Sequence, residues 1–210
     1  MLYIISRTIF EIFIKLLFRL RMHGRENLPE PPYIIASNHA SLIDPPLVGL
    51  ACRKHMVNFM AKKELFSSRF GRWWSTRVGC IEVKRGEVSV GTLKEAVKRL
   101  KSGSVVGIFP EGTRSEDGRL QEAKRGTGFL VDKAGVPVVP FYIEGSGRAL
   151  SKGKPIKYCT MINVYVGKPI MPGELLFETP SGKRDYVAVS NRIMERISEL
   201  KTRAEKGLEQ

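Results

Sequence analysis

The stretch Ser37-Asn38-His39-Ala40-Ser41-Leu42-Ile43-Asp44-Pro45-Pro46 follows the apolar run Tyr33 to Ala36 and sets an imidazole and a carboxylate five residues apart. A carboxylate that accepts from one imidazole nitrogen fixes the tautomer, raises the basicity of the other nitrogen and stabilises the imidazolium once it forms. His39 and Asp44 therefore have the makings of a general base for a hydroxyl group. Residues five apart do not share a helix face, so the chain must turn between them. Pro45 biases Asp44 towards extended backbone and suits the first position of a helix. Asp44 is then an N-cap candidate at a loop-to-helix junction, with His39 on the strand-to-loop side. A purely structural use fits the same residues: Asp44 caps a helix and His39 is a loop residue. Taken alone, the stretch admits both. Ser41 lacks the G-x-S-x-G surroundings of a nucleophilic serine. The two remaining histidines, His23 and His55, are too few to complete a metal site.

The elements around this stretch predict an α/β domain. Strands are expected at Tyr33–Ser37, Val57–Ala61, Cys80–Val83, Ser104–Phe109, Val136–Ile143 and Thr160–Val166. Helices are expected at Pro45–Ala51, Phe66–Arg77, Ser89–Lys101 with Ser89 as N-cap, Gly126–Ala134 ending at Gly135, and Lys183–Lys206. Pro137 and Pro140 suggest that their strand lies at an edge, or enters and leaves pairing, since proline has no ladder donor. In layered α/β domains sites collect at the carboxyl ends of strands, and His39 and Glu111 each follow such an end.

At 210 residues, with 42% hydrophobic and 27% charged residues, the chain supports one folded domain plus a short appendage. The net charge of +14 is spread along the chain and favours polyanionic partners: nucleic acid, an anionic bilayer surface or phosphorylated substrates. No recognised nucleic-acid-binding motif is present. Cys52, Cys80 and Cys159 are odd in number and widely spaced, which argues against a disulfide framework or thiolate metal site and fits a reducing cytosol. Residues 1–24 form the appendage and 25–210 the domain. Arg7, Glu11, Lys15 and Arg19 break residues 1–22 every four positions, so no charge-free run of roughly 18 residues exists to span a membrane. The same spacing predicts an amphipathic helix whose apolar arc carries Ile5, Ile9, Ile12, Phe13, Leu16, Leu17 and Leu20. That arc either packs on the domain or lies in a bilayer interface; its Ile, Leu and Phe content and the basic chain favour the interface. Phe66–Arg77, where two tryptophans alternate with arginines, is a second interfacial candidate beside a half-buried surface helix.

Four blocks in order resemble the glycerolipid acyltransferases: Asn38–Asp44 (N-H-A-S-L-I-D), Gly79–Arg85 (G-C-I-E-V-K-R), Phe109–Ser115 (F-P-E-G-T-R-S) with Gly118 and Lys124-Arg125-Gly126, and Val136–Pro140 (V-P-V-V-P). The wording of the third block is closest to the 1-acylglycerol-3-phosphate acyltransferases. The resemblance implies a layered mixed sheet flanked by helices, and transfer of a fatty acyl group from acyl-CoA or acyl-carrier protein to the sn-2 hydroxyl of lysophosphatidate, giving phosphatidate. Glycerol-3-phosphate or another lysophospholipid is the alternative acceptor. His39 would be the base and Asp44 its orienting partner, with no metal, no cofactor and no covalent enzyme intermediate. Arg85, Lys84, Arg114 and Lys124 would hold or attract the phosphate. Glu111 would contact the glycerol portion or hold an arginine, and Gly112, which lets backbone approach closely, and Thr113 would join it in binding the substrate. The expected setting is peripheral, on the cytoplasmic face of the cell membrane, against anionic lipid and without nucleic acid.

Overall fold

A computed structural model describes residues 2–83, 89–151 and 153–207. In chain order the elements are α1 (Leu2–Leu17), β1 (Arg19–His23), β2 (Tyr33–Ser37), α2 (Asp44–Ala51), β3 (Val57–Lys62), α3 (Arg69–Arg77), β4 (Ile81–Val83), α4 (Val90–Lys101), β5 (Val105–Ile108), α5 (Arg125–Ala134), β6 (Val138–Glu144), the short α6 (Ser146–Ala149), β7 (Met161–Val166) and α7 (Tyr186–Glu205). The strands form one seven-stranded mixed sheet in the order β1-β7-β6-β2-β5-β3-β4. Among the described strands, only the β6–β7 pairing is antiparallel.

The sheet is buried on both faces. Along β2, Tyr33 and Ile35 enter a core shared with Ile14, Leu47, Val48 and Phe141. Ile34 and Ala36 enter a second core with Leu93, Leu100, Leu130, Ile193 and Ile197. A central strand covered on both sides reads as a continuous apolar run, which is why Tyr33–Ala36 carries no alternation. Helices α1 and α2 cover one face, and α4, α5 and α7 the other. The α/β layering and the mixed sheet agree with the expectation from sequence.

Caps set several boundaries. Ser89 accepts from Thr92 N at 3.2 Å and Asp185 from Val187 N and Ala188 N at 3.0 Å, while Gly135 ends α5 in the left-handed region. Ser68, accepting from Gly71 N at 2.9 Å, starts α3 later than expected and leaves Lys63–Phe66 as a 3-10 turn.

Three expectations are corrected. The helix expected over residues 1–22 ends at Leu17, because Cys159 N donates to Leu17 O at 2.7 Å and Arg19 N to Thr160 O at 3.1 Å. Those bonds draw Arg19–His23 into β1, beside β7, so these residues belong to the sheet. Of the two expectations for the strand containing Pro140, the edge position is corrected, since β6 lies between β7 and β2, and the strand that enters and leaves pairing is the one found. Pro140 O accepts from Gly167 N at 2.8 Å, so the missing donor faces the break between the Val166 and Ile170 pairings, where the ladder is already interrupted. Finally, Asp44 is the first residue of α2 and Ile43 holds the cap position, with no side-chain cap bond. Pro45 and Pro46 offer no N–H groups, so the carboxylate turns back into the preceding loop.

Candidate active site

Strands β2 and β5 are parallel neighbours, with Ala36 opposite Ile108. Their carboxyl ends place the 38–44 loop beside the 109–115 turn. Asn38 pins the first loop to the neighbouring strand β6: its amide donates to Ile143 O at 2.9 Å and accepts from Ile143 N at 2.7 Å. Ser115 N donates to His39 O at 2.8 Å, and His39 N donates to Glu111 Oε1 at 3.0 Å. The catalytic candidate is thus held by its own backbone from both sides.

Asp44 Oδ2 lies 2.8 Å from His39 Nδ1 and accepts from Ala40 N and Ser41 N at 2.7 Å each. Asp44 is fully buried, whereas the His39 side chain retains 17% exposure. With Nδ1–H given to the carboxylate, Nε2 is left as the ring's acceptor, which is the tautomer a general base needs. The ring stacks on Phe109 at 4.0 Å between centroids, and Phe109 stacks on Phe59 at 5.7 Å. Gly107 makes this ladder possible. A Cβ there would fall 2.2 Å from Phe59 Cε1, so the interior of β5 cannot carry a side chain at that point.

Ser41 is buried, with Oγ donating to Leu150 O at 2.8 Å and receiving Ile43 N at 3.4 Å. It ties the loop to the segment after β6 and is not presented for attack. The backbone amides around His39 are equally committed. Those of His39, Ala40 and Ser41 go to carboxylates, that of Ile43 to Ser41 Oγ, and that of Asp44 to Ser41 O. None of these five is free to stabilise an oxyanion, so charge developing on a substrate must be met elsewhere.

Glu111 is 1% exposed, and burial pushes its carboxyl up to about 7, opposed by the N–H groups of His39 and Gln121; the charge of Asp44 raises it further. Its second oxygen accepts from Gln121 N at 3.3 Å. Both oxygens therefore face inward, and no arginine among the described residues pairs with Glu111; it is a positioning residue for His39. Gly112 adopts φ 72°, closing the turn through Gly112 N to Phe109 O at 3.0 Å. Thr113 is exposed and bonds Gln121 at 3.3 Å. Arg114 is half-buried and makes no hydrogen bond or ion pair with a described residue. Lys124 is exposed at the start of α5, with Cγ 3.2 Å from where a Gly112 Cβ would stand, and its N–H donates to Pro110 O at 2.8 Å. Lys84 and Arg85 lie outside the described residues. Strand β4 ends immediately before them at Val83, opposite Lys62 of β3.

The structure thus gathers His39, Asp44, Glu111, Gly112, Thr113, Arg114 and Lys124 at one carboxyl edge. The sequence offers the amides near Asn38–Ser41 and the Asp44 helix start as oxyanion donors but no side-chain role for Asn38, Phe109, Ser115 or Gln121, which hold the pair in place; the adjacency of Asn38 to His39 and of Phe109 and Ser115 to the Glu111 turn is the available signal. Among the described residues, no group of three or more His, Cys, Asp or Glu side chains has metal-holding geometry.

Residues 19–144 match the acyltransferase family model. The 1-acyl-sn-glycerol-3-phosphate acyltransferase of Bacillus subtilis is 30% identical over 186 residues, covering 88% of this chain and 89% of that protein. A chloroplastic 1-acyl-sn-glycerol-3-phosphate acyltransferase of Arabidopsis thaliana is 34% identical over 158 residues, which are 73% of this chain and 44% of that longer protein. The crystal structure of the 1-acyl-sn-glycerophosphate acyltransferase PlsC from Thermotoga maritima superimposes with a TM-score of 0.73 at 29% identity, over 92% of this chain and 76% of that one. With a matched segment running from β1 through β6 and enclosing both site loops, the chain belongs to the acyltransferase family.

Proposed function

We propose that this protein is a lysophosphatidate acyltransferase, moving a fatty acyl group from a thioester of CoA or acyl-carrier protein to the sn-2 hydroxyl of 1-acylglycerol-3-phosphate. The observation that carries this reading is the 2.8 Å His39–Asp44 pair at the carboxyl end of β2, with the ring partly open to solvent. His39 Nε2 removes the hydroxyl proton as the oxygen attacks the thioester carbonyl. The tetrahedral intermediate expels the thiolate, which takes the proton from the imidazolium. An ester and a thiol result, and the base is regenerated without a covalent enzyme intermediate or a cofactor. Asp44 holds the tautomer and stabilises the imidazolium. Arg114 and Lys124, with Arg85 and Lys84, supply positive charge for the acceptor's phosphate.

The acceptor and the product reside in a bilayer, so the enzyme must dock at one. Ile5, Ile9, Ile12, Phe13 and Leu16 of α1 all face outward, while Phe10, Ile14 and Phe18 pack on the domain. No helix among the described residues is long and apolar enough to cross a membrane. In this reading α1 lies in the interface of an anionic leaflet, on the cytoplasmic face of the cell membrane. Release of thiol from acyl-CoA that requires added lysophosphatidate, with phosphatidate as product, is the test. Thiol release independent of acceptor, or none with any acyl thioester, would refute the assignment.

A further inference from the structure

Helix α3 projects a second cluster of apolar side chains into solvent. Phe70 is 71% exposed and Trp73 is 46% exposed. Their rings lie 5.9 Å apart, and the Arg77 guanidinium sits 5.7 Å over the Trp73 ring. The spacing 70, 73, 77 puts all three on one ridge of the helix. Arg69 and Arg72 lie beside it, exposed to solvent, and Arg72 also pairs with Glu82 at 3.9 Å. The opposite side is committed to the protein: Ser75 is buried, and a Cβ on Gly71 would fall 2.4 Å from Leu65 O. Large exposed aromatics rimmed by cations are a poor surface for water and a good one for the headgroup layer of an anionic leaflet, where rings enter and guanidinium groups meet phosphate.

The ridge is continuous with α1. Trp74 Nε1 donates to Ser6 Oγ at 3.3 Å, so the two helices touch on the flank next to the ridge. On α1, Ser6 borders the outward arc of Ile5, Ile9, Ile12, Phe13 and Leu16 at about 100° per residue. The apolar arc of one helix thus runs into the aromatic ridge of the other.

We infer that α1 and α3 form one bilayer-docking face, in which Phe70 and Trp73 insert into an anionic phospholipid leaflet and Arg69, Arg72 and Arg77 bind its phosphates. This rests on the interfacial reading of α1 and adds a second, non-collinear contact to it. One amphipathic helix leaves the domain free to rock about its axis; two contacts fix its tilt. Strand β3 runs parallel to β5 and β2, so the chain leaves the sheet towards α3 at the same carboxyl edge that carries His39 and the Phe109 turn, and a fixed tilt sets that edge's position at the surface where a lysophospholipid is presented. The arginines give the face its preference for anionic over zwitterionic lipid.

The two tryptophans permit a direct test on the full chain. W74F leaves Trp73 as the sole indole. On adding phosphatidylcholine vesicles containing about a third phosphatidylglycerol, Trp73 emission should shift to the blue and be quenched by lipids brominated in their acyl chains. F70S/W73S should weaken vesicle co-sedimentation about tenfold, and R69Q/R72Q/R77Q should remove most of the preference for phosphatidylglycerol. Trp73 emission that stays unshifted and unquenched while the protein co-sediments would overturn the α3 contact and leave α1 docking intact. No co-sedimentation of the unmodified chain would instead remove the interfacial reading of α1 itself. A dimer in light scattering that F70S/W73S converts to monomer without altering vesicle binding would assign the ridge to a second copy and refute the proposal.

Discussion

The loop at the carboxyl end of β2 and the helix that opens the chain treat their side chains in opposite ways. In the loop almost every donor is answered inside the protein: Asp44 Oδ2 alone gathers His39 Nδ1, Ala40 N and Ser41 N. Along α1, Arg53 meets the Glu11 carboxylate at 3.1 Å, while Leu16 stands 78% exposed. The loop's donors are met within the chain, some inside the loop and others through Glu111, Ile143 and Leu150, while Asp44 Oδ1 is buried without a hydrogen-bond partner. The helix packs Phe10 and Ile14 on the domain, and its outward arc is left exposed among the described residues, which is the surface the proposed bilayer docking would cover. The largest effects of mutation should therefore come from the loop's chemistry, and the most selective ones from the helix.

His39→Ala should lower acceptor-dependent thiol release about 10³-fold or more, the range expected for loss of a positioned general base. Co-sedimentation with anionic vesicles should stay at the unmodified level, since His39 contributes nothing to the exposed arc of α1. Turnover near the unmodified value would remove His39 from the mechanism. Ser41→Ala breaks a loop bond to Leu150 O and should cost about 1 kcal/mol of stability with turnover largely kept. An acyl group trapped on Ser41 would reverse that assignment.

The same contrast explains what the sequence could reveal. His39 and Asp44 were legible as a candidate pair because imidazole–carboxylate chemistry is local, whereas the N-cap role that the prolines suggested for Asp44 was not found, since Ile43 holds the cap position. The 109–115 turn was legible because its residues resemble a known block and follow an apolar strand. Burial of β2 on both faces also showed, as an unbroken apolar run. The length of α1 did not. Arg19 continues the four-residue charge spacing of the helix, but it equally begins the alternation Arg19-Leu20-Arg21-Met22-His23 of a strand. What decides between them is Thr160 and Cys159, more than a hundred residues away. The inward turn of Glu111 was hidden for the same reason: its partners, His39 N and Gln121 N, meet only when β2 and β5 pair.

Asp44 separates orientation from charge. Asp44→Asn keeps an oxygen for the Ala40 and Ser41 amides but cannot stabilise an imidazolium, so activity should fall about 10²-fold with little loss of stability. Asp44→Ala strips the acceptor from two backbone N–H groups and should in addition cost about 2 kcal/mol or more, read as a lower denaturation midpoint. If Asp44→Asn and the unmodified chain turn over equally, the carboxylate serves the loop alone.

Two adjacent residues of α1 test its two faces. Ile14 is fully buried, and Ile14→Ala should cost about 3 kcal/mol, lowering the thermal midpoint by about 10 °C. Phe13 is exposed, and Phe13→Ser should leave that midpoint within about 1 °C while weakening vesicle co-sedimentation about tenfold. Equal thermal shifts for both variants would mean that the outward arc is covered by the protein itself.

The last expected effect concerns Glu111, and it depends on pH. Burial raises its carboxyl from an ordinary 4.5 to about 7, so the folded state binds a proton more tightly than the unfolded chain. A group raised in this way contributes stability fully below about pH 4.5, and that contribution is lost as pH rises through about 7. Other groups titrate in the same range, so the informative quantity is the difference from Glu111→Gln measured at matched pH. The glutamine keeps a carbonyl oxygen for His39 N, but its amide cannot accept from Gln121 N as well, a pH-independent loss of about 1 kcal/mol. Upon that constant offset, the unmodified chain should lose stability relative to Glu111→Gln between about pH 4.5 and 7, narrowing or reversing its advantage, with no further change below that window. Denaturant midpoints at pH 4, 5.5 and 7.5 suffice to resolve the trend. A difference that stays constant across them would show that the buried carboxyl keeps the same charge in both states, and that His39 is held by a hydrogen bond indifferent to pH.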